Sequence, residues 1–381
     1  MKEHPEFKII SDSPAHSETI QLKDGEEAIE KFSIDDSVLM RWHEKETRSG
    51  SGDVQHLHYS TAVMAGYTGV RSLKSKAAWE LFNYKNDPEN GRAVIEAYID
   101  KNSPTLLLPL QGGICPYDCK GCPFAAHAEG HEGKKTKELS PKEIRLLIEE
   151  SLREAKKVSP LLEGKKFGIA FVGSGDATPN PHLKDILEMV CKDFSNTISR
   201  VRISTVAGKV NKDRKTPMQV VADIYSSPDY NGEPVISVQV SAQSTNEEKR
   251  ALHVYNQRPD KPGETEEHKG NRMEKLLLPL NEIAEQFQQI VDAQINKGYK
   301  TVRKPTLTFV CNNETEIRPE VFKQKGFGPE NTVIQLRPLL TEAPEERMQE
   351  VEFNRIYTSL REEGFDVVIM PVSPSEVELK A

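Results

Sequence analysis

The segment at 111–124 reads QGGICPYDCKGCPF and places three of the chain's five cysteines within eight residues. Cys115, Cys119 and Cys122 stand in C-x3-C-x2-C spacing, with no fourth cysteine close by. Thiols this dense in a cysteine-poor chain point to metal or redox chemistry. Three readings of the residues stay open. A structural zinc ion wants four tetrahedral ligands, with His127 as a candidate fourth. An iron–sulfur cube on three thiolates departs from the usual four and leaves one iron for another ligand. Plain buried thiols are the third reading, but Pro116, Asp118, Lys120 and Gly121 make the segment a poor apolar core.

The totals narrow the setting. The chain has 381 residues, 36% hydrophobic and 29% charged, which is the composition of a globular protein with a sizeable core. A formal net charge of −8 weighs against a nucleic-acid partner. No apolar run has the length of a membrane span, and MKEHPEFKIISDSPAHSET lacks the apolar core of a signal peptide. The cytoplasm, with no membrane partner, is the expected setting.

The elements that must position the cysteines begin near residue 104. Apolar runs at 105–110, 166–173, 200–205, 235–241, 305–310, 332–338 and 365–371 read as strands. Helical patterns fall between them at 140–157, 182–194, 217–225, 283–298 and 346–363, the first opened by a Ser140–Glu143 capping box. Such alternation implies α/β architecture with a parallel sheet, either an open or partial barrel or a doubly wound sheet. Either way the site belongs at the C-terminal strand ends, where the cysteines follow the first strand. Residues 1–100 show little regular pattern and read as an accessory region before a core domain at 101–381. RSGSGD at 48–53 reads as a loop there, and 74–84 and 94–99 as short helices.

The cysteine spacing after a first strand resembles that of the radical S-adenosylmethionine (SAM) superfamily. GSGDATPN (173–180) resembles the glycine-rich acidic motif G-x-G-E-P-x-x-N of its ribosomal RNA adenine methyltransferases, with Gly175 and Asp176 toward SAM. VRISTVAG (201–208) resembles their V-T-x-S-T-S-G and places Ser204 on SAM. VSAQSTNEEKR (240–250) resembles I-S-L-H-A-P-N-D-E-x-R and places Ser241, Ala242 and Gln243 there. FVCNNETE (309–316) resembles the segment whose asparagine holds the SAM carboxylate, here Asn312. The resemblance covers about 106–371. It implies a partial (β/α)6 radical SAM barrel with an N-terminal accessory segment, and a [4Fe-4S] cluster on Cys115, Cys119 and Cys122 whose open iron chelates SAM. It further implies reductive cleavage to a 5′-deoxyadenosyl radical, and a reducing partner such as flavodoxin or ferredoxin.

The sequence also departs from that pattern. Gly121 stands where an aromatic usually precedes the third cysteine, Asp176 replaces Glu, and Ala177 replaces Pro. The ending FDVVIMPVSPSEVELKA has no counterpart of the methyl-carrying cysteine. Only Cys191, in an amphipathic helix, and Cys311, a weak catalytic candidate beside Asn312, remain. The expected reaction is therefore hydrogen abstraction from a small-molecule or peptide substrate, with RNA modification by another route as the alternative. His56 and His58 (a possible metal pair, more simply loop residues) and Arg41, Trp42 and His43 are weaker site candidates. The charged runs HEGKKTKE and EEKR read as solvated surface.

Overall fold

The computed structural model describes residues 16–22, 26–34, 38–48, 54–64, 105–113, 115–120, 136–158, 164, 166–172, 175–255, 259–338 and 348–369. The helices expected at 74–84 and 94–99 lie outside these residues, as do Gly121, Cys122 and His127.

Seven strands run parallel in strict sequence order: β5 (Thr105–Leu108), β8 (Phe167–Phe171), β9 (Ile198–Thr205), β10 (Val235–Ser241), β11 (Thr306–Cys311), β12 (Val333–Pro338) and β13 (Asp366–Ile369). Each expected strand is present. Crossovers of one hand joining strands that never reverse their order put the long crossover helices on the same face. That order excludes a doubly wound sheet, whose strand order turns back on itself. The result is an α/β partial barrel.

Alternation along the strands separates the two faces. Phe167, Ile169, Phe171, Val201, Ile203, Val238, Val240, Leu307, Phe309, Ile334, Leu336, Val367 and Ile369 belong to one buried apolar cluster. They meet the inner stripes of α1 (Pro141–Val158), α2 (Leu183–Asp193), α3 (Pro217–Ser226), α6 (Leu280–Asn296) and α8 (Glu350–Glu362). The intervening residues, Gly168, Arg202, Ser204, Ser237, Gln239, Ser241, Thr308 and Gln335 among them, fall on the opposite, concave face. The Ser140 box that opens α1 is formed, the Glu143 backbone N–H donating to Ser140 Oγ and the Ser140 N–H to the Glu143 carboxylate.

The N-terminal region differs from the expectation of little regular pattern. Strands β1 (His16–Leu22), β2 (Glu26–Ile34), β3 (Val38–Arg48) and β4 (Val54–Met64) form an antiparallel meander. It continues the sheet by pairing β4 antiparallel to β5, Met64 opposite Thr105. The sequence of β2, EEAIEKFSI, places the apolar Ala28 and Ile29 next to each other, so the two-residue period is weak there. His56 and His58 thus stand on a strand, opposite Glu46 and Glu44, and Arg41, Trp42 and His43 lie on β3. The loop expected at 48–53 starts at the last residue of β3, and 49–53 lie outside the described residues.

Candidate functional site

The cysteine loop leaves β6 (Gln111–Gly113), which pairs with β7 (Thr136–Glu138) as a two-stranded ribbon apart from the main sheet. Its backbone is fixed from outside. The Asp118 and Lys120 N–H groups donate to the Val254 and His253 carbonyls at 3.0 Å, at the end of α4 (Glu247–Val254). Those carbonyls would otherwise be orphans of the last helical turn. Cys115, Tyr117, Ala251, Val254, Tyr255, Met273 and Leu277 then form a second apolar cluster, with Cys119 packed against it. Met273 comes from α5 (Glu266–Glu274). The loop after β5 is thereby locked to the segment after β10.

His253 titrates against this arrangement. Burial, with Lys120 nearby, lowers its pKa to about 4, so the imidazole folds neutral and must charge when the chain unfolds in acid. The unfolded state then binds the extra proton below pH 6.5. Stability should fall by up to about 1.4 kcal/mol per pH unit between about 6.5 and 4. Urea midpoints across that range should flatten in His253→Gln.

Asp176 knits the ends of β8 and β9. Its Oδ1 accepts from the Thr178 N–H and the Thr205 hydroxyl, both at 2.8 Å, and its Oδ2 from the Val206 N–H at 2.6 Å. Burial still pushes this carboxyl above its ordinary range, since the groups acting on it are neutral donors rather than a cation. Oδ2 carries a single donor and has capacity for a second. Gly175, at φ +121°, turns the chain so that the Asp176 N–H reaches Gln111 Oε1. Asn180 closes the motif by donating to the Leu110 and Leu139 carbonyls at 2.8 and 3.0 Å, tying β5 to the start of α1.

Tyr117 crosses the same place. Its ring lies 5.9 Å from Tyr255, and its hydroxyl bonds the Thr178 side chain. A Cβ at position 208 would sit 1.8 Å from that hydroxyl, so only glycine fits there.

Ser204, Ser241 and Asn312 stand at or just past the C-terminal ends of β9, β10 and β11, with Gln243 two residues beyond β10. Two non-glycine residues among those described have positive φ: Ala207 at 57° and Gln243 at 66°. Both follow strand ends, and strain of about 1–3 kcal/mol each persists where the surroundings fix it, typically at functional sites. Gln243 Oε1 accepts from the Val310 N–H at 3.4 Å. Asn312 Oδ1 accepts from the Glu314 N–H and the Thr315 hydroxyl, which leaves its Nδ2 as the donor. A Lys120–Glu314 ion pair joins the cysteine loop to this turn.

The structure brings Cys115, Cys119, Gly175, Asp176, Ser204, Ser241, Gln243 and Asn312 to one end of the barrel. Cys191 and Cys311 belong to the core instead. The Cys311 thiol is 1% exposed within the main core, donates toward the Phe309 carbonyl, and is pushed up to about 12 by burial. Cys191 packs against the core from α2 and is likewise raised to about 12. Among the described residues no three His, Cys, Asp or Glu side chains group as a metal site.

The run EEKR is not wholly solvated, because Arg250 is fully buried. Its guanidinium donates to the Leu278 and Val206 carbonyls at 2.6 and 2.9 Å and to Glu247 at 3.2 Å. A cation spaced four residues before Val254, on its buried face, was the signal for this role. Arg250→Met should cost about 3 kcal/mol in urea unfolding, since two buried carbonyls and Glu247 lose their donor. Tyr117 had a signal too, an aromatic set between two cysteines.

No family model and no curated protein matches the chain. A solved structure does: the crystal structure of a radical SAM methyltransferase from Sphaerobacter thermophilus matches at a TM-score of 0.50 and 14% identity. The match covers 94% of this chain and 77% of that one. At that identity the likeness is one of fold, so the chain shares its partial-barrel architecture with a radical SAM methyltransferase.

Proposed function

We propose that this chain is a radical SAM enzyme that abstracts hydrogen from a small-molecule or peptide substrate. The observation that carries the reading is convergence: the cysteine loop is fixed at the same barrel end as the strand-end residues that would hold SAM. The donor set suits the group, since Cys115 and Cys119 lie on one loop with a fixed backbone and Cys122 follows three residues on. A [4Fe-4S] cluster on these three cysteines would supply SAM binding at its open iron and the electron for reductive cleavage.

The chain's own residues would then orient and shield. Asp176, short of a cation, would take the SAM ammonium on Oδ2. Asn312 Nδ2 would hold the carboxylate, and Ser204, Ser241 and Gln243 would line the approach with Gly175 allowing close contact. Tyr117 and the second apolar cluster would exclude water from the cysteines. Residues 1–100 would act as an accessory region beside the core domain at 101–381, with a flavodoxin- or ferredoxin-like donor in the cytoplasm.

The test is anaerobic reconstitution with iron and sulfide, then SAM and a strong reductant, assaying 5′-deoxyadenosine against S-adenosylhomocysteine. Deoxyadenosine that disappears in Cys122→Ala supports the reading; zinc without sulfide and no SAM cleavage would overturn it. Methyl transfer is the second reading, favoured by the fold neighbour's being a methyltransferase, with RNA as the substrate to try. S-adenosylhomocysteine as the product would select it.

A further inference from the structure

The concave face of the barrel carries an arginine that forms no hydrogen bond or ion pair with another of the described residues. Arg202 lies in the middle of β9, between Ala170 of β8 and Ser237 of β10 in register. Its neighbours Val201 and Ile203 are fully buried against the helices, so alternation turns Arg202 to the opposite face. It is half-buried there, with Nε shut off from solvent and without an acceptor. No ion pair of Arg202 occurs among the described residues.

Two other arginines show what structural use looks like in this chain. Arg250 places both Nη groups on acceptors, as above, and only its Nε lacks one. Arg200, two residues before Arg202 on the same face, donates to the Thr105 hydroxyl at 3.0 Å and lies across Gly168. Near the C-terminal end of that face stands a further cation, Arg337 of β12, opposite Val310. The one carboxylate that the described parallel strands place on this face, Asp366, sits at the other end, exposed and paired with Lys304. Hydroxyls and amides stand in the middle of the face, Ser204, Ser237, Gln239, Thr308 and Gln335, with Ala170 beside Arg202. A guanidinium with its Nε shut off from water, and with no counter-charge among the described residues, is costly and is kept where something else completes it.

We infer that Arg202 is a substrate-binding residue and that the substrate carries an oxyanion, a carboxylate or a phosphate. The inference rests on the radical SAM reading for the identity of the site and narrows its substrate class. A planar guanidinium takes either oxyanion through paired N–H groups, and the surrounding hydroxyls and amides suit the polar remainder of a small molecule.

The test uses the full chain, both as purified and after reconstitution with iron and sulfide. Inorganic phosphate and acetate are titrated separately at constant ionic strength, followed by calorimetry and by the thermal midpoint. One of the two should bind saturably, and which one saturates lower assigns the oxyanion. Binding should weaken at least about tenfold in Arg202→Met and be partly kept in Arg202→Lys. SAM affinity should stay within about twofold, and Arg202→Met without anion should unfold at the same temperature or higher, because an unpaired charge has gone. Absence of saturable binding in the parent, or equal binding in Arg202→Met, overturns the inference. So does a fall in SAM affinity, which would assign the guanidinium to the SAM carboxylate, or a lower midpoint without any anion effect, which would make Arg202 a packing residue. Anion binding is read without SAM cleavage, so a failure of the radical reading and a failure of this inference are seen separately.

Discussion

Cys115→Ala should fold and yet retain no more than about one-tenth of the parent's reconstituted iron and sulfide, with 5′-deoxyadenosine at background. The thiol belongs to the small second cluster with Tyr117, Ala251, Val254, Tyr255, Met273 and Leu277, away from the main core. Trimming one sulfur from it should cost about 1 kcal/mol, too little to unfold a chain of this size. The loop geometry should persist, since the Asp118 and Lys120 N–H groups hold it through the backbone of α4. Loss of cluster with a retained urea midpoint therefore marks a ligand. Cys191→Ala and Cys311→Ala are the controls, because both thiols are raised to about 12 and sit at or in the core. These two should keep their iron, with Cys311→Ala showing a modest loss of stability. Full iron and sulfide in Cys115→Ala would remove the residue from the ligand set.

The barrel was legible because its strands are apolar runs of β-branched and aromatic residues separated by amphipathic helices, as in FGIAF, ISRVRIST and VISVQVS. Their sequential order was not legible: apolar patterns give strands, while neighbour order comes from which crossovers pack. The short helices α4, α5 and Pro319–Gln324 were missed, and the first two owe their existence to caps more than periodicity. Asn246 and Thr265 accept from the third helical N–H of charged segments, the first of which, EEKR, read as surface. The site residues at strand ends could be named from motif spacing. Their division of labour could not, since the network that engages Asp176 joins residues 29 and 30 positions apart. The same holds for Asn180, whose amide reaches back 70 positions to Leu110.

Gly175→Ala should be the most damaging single methyl in the described chain. A φ of +121° is a conformation L side chains rarely adopt, worth about 1–3 kcal/mol of strain. The new Cβ would also sit 2.1 Å from Gln111 Oε1 and 2.6 Å from Gln111 Cβ. Gln111 is fully buried and cannot swing clear, so overpacking adds about 1–3 kcal/mol more. Moving either residue breaks the Asp176 N–H bond to Gln111 and shifts the carboxylate that holds Thr178, Thr205 and Val206. Thermal unfolding should show a total loss of about 3–5 kcal/mol, with SAM binding reduced at least about tenfold in the molecules that remain folded. A double-mutant cycle with Gln111→Ala separates the causes, since removing that side chain relieves the clash and leaves the backbone strain. The cost of Gly175→Ala should drop by about half in that background. SAM binding should remain weak there, because Asp176 has still lost the acceptor that fixes its backbone. An undiminished SAM affinity in Gly175→Ala would show that the β8–β9 knot serves the fold alone.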